Sequence, residues 1–201
     1  MTLMEAIEAR RSIRAFRPDP IPDEALEAIL RAAQLSPSGG NGQSYRFGLV
    51  FDKALKQELA EAAGNQLWIA QAPIVIACCA MLDVDYKDVP PDDFGLQVNC
   101  LRFGKPFMDY LGEYPDRRAV MTLFENSAPL IAVEHMMLTA TTYGLGTCAI
   151  GYLDVARANR VLNLPPDKTC LFLLPVGYPG EIPREQHRKP LEELVFINRH
   201  T

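Results

Sequence analysis

The stretch PIVIACCA at residues 73–80 decides the fold of this 201-residue chain. Every residue in it is apolar or carries a thiol. A continuous apolar run is typical of a strand that is buried on both faces, whereas a strand with one face in water alternates apolar and polar residues. The sequence therefore predicts a sheet that other elements cover on both sides.

Further strands and helices are predicted around this run. The other strands are predicted at residues 47–51, 147–152 and 169–176. The helices are predicted at residues 3–9, from Pro22 to a stop at Ser36-Pro37, at residues 54–63, at residues 128–143, and in a short segment capped by Asp154. Because strands and helices are interleaved, the class is α+β or α/β, with a sheet packed on helices.

Two helices carry predictions about burial. In the first, Leu3, Ala6 and Ile7 are expected to face a core. The helix at residues 128–143 is apolar almost all round and is expected at the centre of the fold, with Gly144 as its C-terminal cap. Residues 83–115 break the periodic pattern, and we interpret residues 83–120 as a variable insertion or lid within a single domain, residues 1–201.

Composition excludes several classes of protein. With 48% hydrophobic and 22% charged residues, the chain is able to build a packed core. A net charge of −5 disfavours a general nucleic-acid binder, which must neutralise many phosphates. The longest apolar region, residues 128–140, is interrupted by Glu134 and His135 and is shorter than the ~20 residues that span a bilayer. No secretory signal is visible, and a soluble protein is expected.

The cysteines and histidines predict neither disulfides nor metal. Five cysteines without a Cys-x-x-Cys pair favour free, buried thiols and a reducing cytoplasm. The three histidines, at positions 135, 187 and 200, show no spacing typical of a metal site or of a His-based catalytic triad.

The first candidate site is the N-terminal basic segment, Arg10-Arg11-Ser12-Ile13-Arg14. A helix continuing through it would place Arg10 and Arg14 on one face, and an anion would offset their repulsion. Arginine suits phosphate because its planar fork donates two parallel hydrogen bonds. The alternative is a solvated basic helix end, which the helix dipole favours.

Three other segments are candidates, each with a plainer alternative. The Gly-rich loop at residues 36–43 could bring backbone N–H groups to a ligand, or it could simply connect a helix to a strand. Gly151 ends the predicted strand that follows Gly144-Leu145-Gly146-Thr147-Cys148. It could let a flat ring lie against the backbone, or it could simply belong to a turn. Arg188-Lys189-Pro190 is a second basic spot, or an ordinary surface charge pair.

The order of these motifs carries a resemblance. They are Arg10-Arg11-Ser12-Ile13-Arg14, the Ser-Pro-Ser-x-x-Asn-x-Gln loop at residues 36–43, Ala72-Pro73 before a buried strand, Gly144-Leu145-Gly146-Thr147-Cys148 after a long apolar helix, Pro175-Val176-Gly177-Tyr178-Pro179, and Arg188-x-Pro190. In this order the chain resembles the FMN-dependent nitroreductase family over nearly its whole length, with residues 83–120 outside the likeness.

The resemblance implies an α+β, three-layer α/β/α sandwich with a mostly antiparallel sheet, a long buried central helix and interface-forming helices. It also implies a homodimer with two FMN sites between the subunits. The flavin phosphate or ribityl chain would contact Arg10, Arg11, Ser12 and Arg188, and Arg14 would face the pyrimidine edge as a charge stabiliser. Pro37, Ser38, Gly39 and Asn41 would arrive from the partner subunit. Ala149, Ile150 and Gly151 would lie beside the ring, with Asn65 or Gln66 as additional contacts.

Two departures from the family pattern stand out. Larger members carry a Glu-Gly pair where this chain has Ile150-Gly151, so any role of that carboxylate is absent. The loop also contains more glycine than usual, with Gly39 next to Gly40.

The activity implied by the resemblance is transfer of hydride from NADH or NADPH through FMN to a small planar acceptor such as a nitroaromatic, quinone or enone, with no catalytic side-chain nucleophile. The aromatic residues of the insertion, Tyr86, Phe94, Phe103, Phe107 and Tyr110, could stack on that acceptor or form lid core. Two alternatives stay open: a dehalogenase-type member of the family, and a non-catalytic flavin-binding storage or sensor protein.

Overall fold

Four strands form one sheet in the computed structural model, which describes residues 1–38, 41–81, 117–183 and 186–195 and the isolated residues 101 and 104. The strands are β1 (Tyr45–Val50), β2 (Ile74–Met81), β3 (Gly146–Thr147) and β4 (Lys168–Gly177). Their order in the sheet is β1-β2-β4-β3, and all three pairings are antiparallel. A β-bulge shifts the register of β2 between Cys78 and Cys79.

Strand β2 is buried on both faces, as its sequence predicts. Successive side chains of a strand point to opposite faces of the sheet. Ile74, Ile76 and Cys78 enter one apolar cluster, and the intervening Val75, Ala77 and Cys79 enter a second.

Helices cover both faces of the sheet and make three layers. Helix α2 (Asp23–Gln34) and the long helix α4 (Arg117–Thr142) pack on one face. Helix α3 (Lys53–Ala62), the 3-10 helix Leu67–Gln71 and helix α5 (Val155–Val161) pack on the other. The predicted α+β class and three-layer α/β/α architecture are confirmed.

Helices α1, α3 and α5 begin where side chains satisfy free backbone N–H groups. In α1 (Leu3–Ala9), Thr2 and Glu5 form a reciprocal capping box. The Asp52 carboxylate accepts from Leu55 N at 2.9 Å, and the Asp154 carboxylate accepts from Arg157 N at 3.0 Å. The predicted cap at Asp154 is confirmed, and so is Gly144 after α4, with a φ of +69°.

The predicted strand at residues 147–152 is wrong. Only Gly146 and Thr147 belong to a ladder, opposite Gly177 and Val176. Beyond them, Ile150 makes a single bridge to Leu173 and packs in the second cluster. The apolar character of this stretch therefore reflects burial of individual side chains in the core, not a continuous strand.

The long helix is longer than predicted. It begins at Arg117, includes Pro129, and takes in residues 117–120 that the sequence had assigned to the insertion. A proline is tolerated inside a long helix because packing of the remaining turns against the sheet offsets the lost hydrogen bond. The other residues of the predicted insertion lie outside the described residues, apart from positions 101 and 104.

One prediction about helix burial is wrong in the single chain. In α1, Ala6 is buried, but Leu3 is 66% exposed and Ile7 is 43% exposed. Helix α4, expected at the centre of the fold, does contribute buried residues to the core, although Leu130 is 45% exposed and Ile131 is 38% exposed. The core of one chain covers only one side of each helix. Within the described part of the chain, we find no helix with the length and hydropathy needed to cross a membrane.

The cysteines that the structure describes are free thiols, as expected: Cys78, Cys79, Cys148 and Cys170 are all buried and unpaired, and Cys100 lies outside the described residues. Burial raises the pKa of the Cys78 thiol far above its usual value, and the neighbouring Cys79 adds to that effect. This thiol stays protonated in the folded protein at pH values where the unfolded chain releases its proton.

The sign of the resulting pH dependence follows from linkage. The contribution of Cys78 is fully present below the pKa of an unfolded thiol, about 8.5, and is lost as pH rises from there toward the raised pKa of the folded state. Above pH 8.5 it should lower the free energy of unfolding by about 1.4 kcal/mol per pH unit. Urea unfolding between pH 7.5 and 10 should show a less steep loss in Cys78→Ala than in the wild type. Parallel losses in the two proteins would contradict the assignment.

Candidate functional site

The N-terminal basic segment, residues 10–14, runs along the free edge of β3. Helix α1 ends at Ala9, and Arg10 adopts an extended conformation with ψ of 127°. Ser12 forms a parallel bridge with Thr147, and Ile13 N donates to Thr147 O at 3.0 Å. The first helix therefore ends where predicted and does not continue through the segment to place Arg10 and Arg14 on one helix face.

The extended backbone still brings alternate side chains to one side, because the side-chain period of a strand is two. Arg10, Ser12 and Arg14 all act on the Cys148 thiol. Burial raises the pKa of Cys148, and the charge of Arg14, a hydrogen bond from Ser12 and the charge of Arg10 oppose that rise. Two guanidinium groups and one hydroxyl thus converge at the edge of the sheet.

The segment is anchored by the side chain between these polar residues. Ile13 is 3% exposed and packs with Phe16 and Ala72. It also lies against Gly146, where a Cβ atom would meet Ile13 Cγ1 at 2.5 Å. Glycine at position 146 is therefore required by the close approach of the segment to β3.

The C-terminal segment, residues 178–183 and 186–188, turns back and pairs with the same part of the chain. Arg17 N donates to Tyr178 O at 2.9 Å, and Gly180 N donates to Ala15 O at 2.8 Å. A carboxylate oxygen of Glu181 accepts from Arg14 N at 2.6 Å. The charge of Glu181 raises the pKa of Cys148, whereas the charges of Arg10 and Arg14 lower it.

Arg188 is connected to the N-terminal basic segment through Gln186. Gln186 Nε2 donates to the carbonyl oxygen of Arg10 at 3.1 Å. Arg188 Nη2 donates to Gln186 Oε1 at 2.7 Å. Basic residues that are far apart in the sequence are therefore neighbours in the structure.

Arg11 makes different contacts from its neighbours. Its Nη1 atom donates to the carbonyl oxygens of Glu8 and Arg10 at the end of α1. An interaction with the helix end was the alternative explanation for all the arginines of the basic segment. Among the described hydrogen bonds, Arg11 is the arginine that makes it. A contact between Arg11 and phosphate stays a prediction.

Residues 149–151 follow Cys148 and combine two small exposed residues with one buried residue, whose backbone N–H and carbonyl both bond with Leu173. Ala149 and Gly151 are exposed, whereas Ile150 between them is buried. At Gly151 a Cβ atom would stand 3.0 Å from the Phe172 ring. The Tyr152 ring lies over Gly64, which brings the predicted contacts Asn65 and Gln66 near this stretch.

The loop at residues 36–43 is not brought to the same place. The loop leads into β1 at Tyr45, which pairs with Ala80 of β2. Thr147 of β3 lies across β4 from Ile74, at the other end of β2. Ala80 is six positions from Ile74, which is about 20 Å along the strand. Pro37 and Asn41 are exposed, Ser38 is half-buried, and Gly39 lies outside the described residues.

The donor set at the sheet edge fits a phosphorylated flat ligand. In the part of the chain that the structure describes, neither Arg10 nor Arg14 forms an ion pair with a carboxylate. Guanidinium and hydroxyl groups suit a phosphate and its polyol chain, and the exposed small residues Ala149 and Gly151 offer little side-chain bulk to a ring.

Sequence reasoning missed Glu181 and Gln186. Both lie in a Pro-rich, polar stretch with no periodicity, so nothing in the sequence indicates that they reach back to Arg14 and Arg10. The only available signal is their proximity in sequence to Arg188.

The fold and the candidate site together define an α+β protein with arginine side chains along one edge of its sheet. The chain belongs to the nitroreductase family, whose model matches residues 7–178. It is 30% identical to an NADH dehydrogenase from Thermus thermophilus, over 93% of this chain and 91% of that protein. It is 26% identical to an iodotyrosine deiodinase from Nematostella vectensis, over 96% of this chain and 74% of that protein.

A solved structure supports the same placement. The NADPH:FMN oxidoreductase from Vibrio harveyi, complexed with NAD+, matches with a TM-score of 0.77 and 27% identity, covering 99% of this chain and 78% of that one.

The contact between Ile13 and Gly146 can be tested by adding a methyl group. Gly146→Ala should destabilise the protein by about 1–3 kcal/mol, because the new Cβ atom overlaps Ile13. Urea denaturation measures the loss. Gly48→Ala is the matched control, since its Cβ atom would meet Ala77 at an ordinary 3.5 Å. Equal midpoints for the two variants would contradict the close packing of the segment on β3.

Proposed function

We propose that this protein is an NAD(P)H-dependent FMN oxidoreductase. It transfers hydride from NADH or NADPH to a small planar acceptor, such as a nitroaromatic, a quinone or an enone, by a ping-pong mechanism. The observation that carries the proposal is the arrangement at one edge of the sheet, where Arg10, Ser12 and Arg14 lie near Cys148 and Gln186 connects Arg188 to the backbone of Arg10. The names of the relatives support the same chemistry.

The phosphate end of the site is assigned to Arg10, Ser12 and Arg188, with Arg11 next to them. Charge-assisted hydrogen bonds from guanidinium groups to phosphate are short and strong. Because Ser12 lies between two arginines on the same side of an extended segment, its hydroxyl is placed to reach the polyol chain that follows the phosphate. These residues bind and orient the cofactor.

The ring end is assigned to Arg14 and to residues 149–151. When bound, FMN supplies the hydride acceptor and donor. Arg14 is exposed, and its backbone N–H is held by Glu181, so its position is set by two parts of the chain. A fixed cation at the pyrimidine edge favours the form of the ring that carries negative charge. The backbone of Ala149, Ile150 and Gly151 lets the ring lie close to the chain.

Two copies of the chain are needed to complete the site. The predicted contacts Pro37, Ser38 and Asn41 belong to a loop about 20 Å along the sheet from the cationic edge, so in this proposal they come from a partner subunit, as does Gly39. Helices α1 and α4 are in contact and expose Leu3, Met4, Ile7, Leu130 and Ile131. An exposed apolar surface of this kind is typical of an interface. The buried free thiols fit a cytoplasmic location.

Cofactor binding and reduction test the activity. The purified protein with FMN should be yellow and should bleach on anaerobic addition of NADH or NADPH. Arg188→Ala should raise the Kd for FMN roughly 10- to 100-fold, as expected for loss of a charged hydrogen bond. Arg160→Ala, an exposed arginine on α5, is the control. Yellow protein that neither nucleotide bleaches would identify a flavin-binding protein without reductase activity, and failure to bind FMN would refute the proposal.

The shared site makes assembly and cofactor binding interdependent. Replacing Leu3 and Ile131 together by Glu should convert dimers into monomers, because charges are costly to bury at an apolar interface. The FMN Kd should rise at the same time, since the partner's loop is lost. Leu55→Glu on α3 is the control, because Leu55 and Ile131 are both 38% exposed. Analytical ultracentrifugation and FMN titration provide the two readings. Monomers that retain wild-type FMN affinity would refute the shared site.

A further inference from the structure

We propose that Gln186 is a positioning residue that joins the two basic segments of the chain into one phosphate-binding unit. The inference rests on the proposed function, and it concerns a side chain that does not itself touch the cofactor. Gln186 is half-buried and contacts both segments at once.

The two bonds of Gln186 use the two ends of its amide. Nε2 donates to the carbonyl oxygen of Arg10 at 3.1 Å, and Oε1 accepts from Arg188 Nη2 at 2.7 Å. The backbone oxygen of Arg10 belongs to the segment that is fixed on β3. Through the Gln186 amide, the guanidinium of Arg188 is therefore held in position relative to the backbone that also carries Arg10 and Ser12.

Arg188 has little else to hold it. It is exposed, and its other hydrogen bond among the described residues is a long one, 3.4 Å, to the carbonyl oxygen of its neighbour His187. A long side chain that is free in solution loses conformational entropy when a ligand immobilises it. The bond to Gln186 restricts the side chain before the phosphate arrives, and Nε makes no hydrogen bond among the described residues.

Glu181 makes the complementary contact at the other end of the segment. It accepts from Arg14 N at 2.6 Å, 167 residues away in sequence, while Gln186 reaches Arg10 across 176 residues. The N-terminal basic segment is thus tied to the C-terminal segment at both of its ends. Of these two ties, only the one at Gln186 also holds a cation assigned to the phosphate.

The chemistry of the side chain distinguishes the two bonds. Gln186→Met keeps a similar length and removes both the donor and the acceptor. Gln186→Glu keeps an oxygen for Arg188 but loses the donor to the Arg10 carbonyl, and it adds a negative charge near the phosphate. Both variants should weaken FMN binding, and neither should change contacts with the ring.

Comparing FMN with riboflavin, which lacks the phosphate, tests the proposal. Titrations should show that Gln186→Met raises the Kd for FMN about tenfold and leaves the Kd for riboflavin within about twofold of the wild type. In an Arg188→Ala background, Gln186→Met should have no further effect on FMN, because the two residues act as one unit. Gln57→Met, on the exposed face of α3, is the control.

The outcomes separate this role from a purely structural one. Equal weakening of FMN and riboflavin, or additive effects of Gln186→Met and Arg188→Ala, would overturn the inference, as would unchanged FMN affinity in Gln186→Met. Wild-type protein that binds neither flavin would refute the proposed function itself, whereas wild-type binding with an unaffected Gln186 variant would refute only the role of Gln186.

Discussion

The candidate site depends on the packing of Ile13 against Gly146 at the edge of β3. This contact, with the bond from Ile13 N to Thr147 O, holds the N-terminal basic segment in an extended form. An extended segment with one buried residue in the middle must direct the residues on either side of it away from the core. The cationic face of the site is therefore a consequence of an apolar contact behind it.

Concentrating positive charge at one edge costs free energy, and the fold offsets that cost in two ways. Glu181 and Gln186 satisfy backbone groups of the segment, so that its position does not depend on the arginine side chains. Arg11 is directed to the end of α1, where a cation is favourable. Among the described residues, Arg10 and Arg14 form no ion pair with a carboxylate, so their guanidinium groups fit the phosphate-binding role that we propose.

A single chain carries only part of the site that we propose. The sheet separates the loop before β1 from the cationic edge, and the contacting helices α1 and α4 both expose leucine and isoleucine side chains. The dimer that we propose explains both facts, because the partner's loop would reach the edge and the apolar side chains would be buried. The wrong prediction of core burial for Leu3 and Ile7 is explained in the same way, because amphipathic periodicity does not distinguish a core from an interface.

The sequence alone determined the layered α+β fold, since the unbroken apolar run of β2 requires cover on both faces, and its resemblance to the nitroreductase family predicted that the basic segment and Arg188 belong to one site. It did not determine how they meet. The extended path of residues 10–14, the two-residue length of β3 and the contacts of Glu181 and Gln186 all depend on pairings between residues far apart in the chain. Local patterns report which side chains avoid water, but hydrogen bonds between distant segments form only after the sheet and helices have placed them side by side.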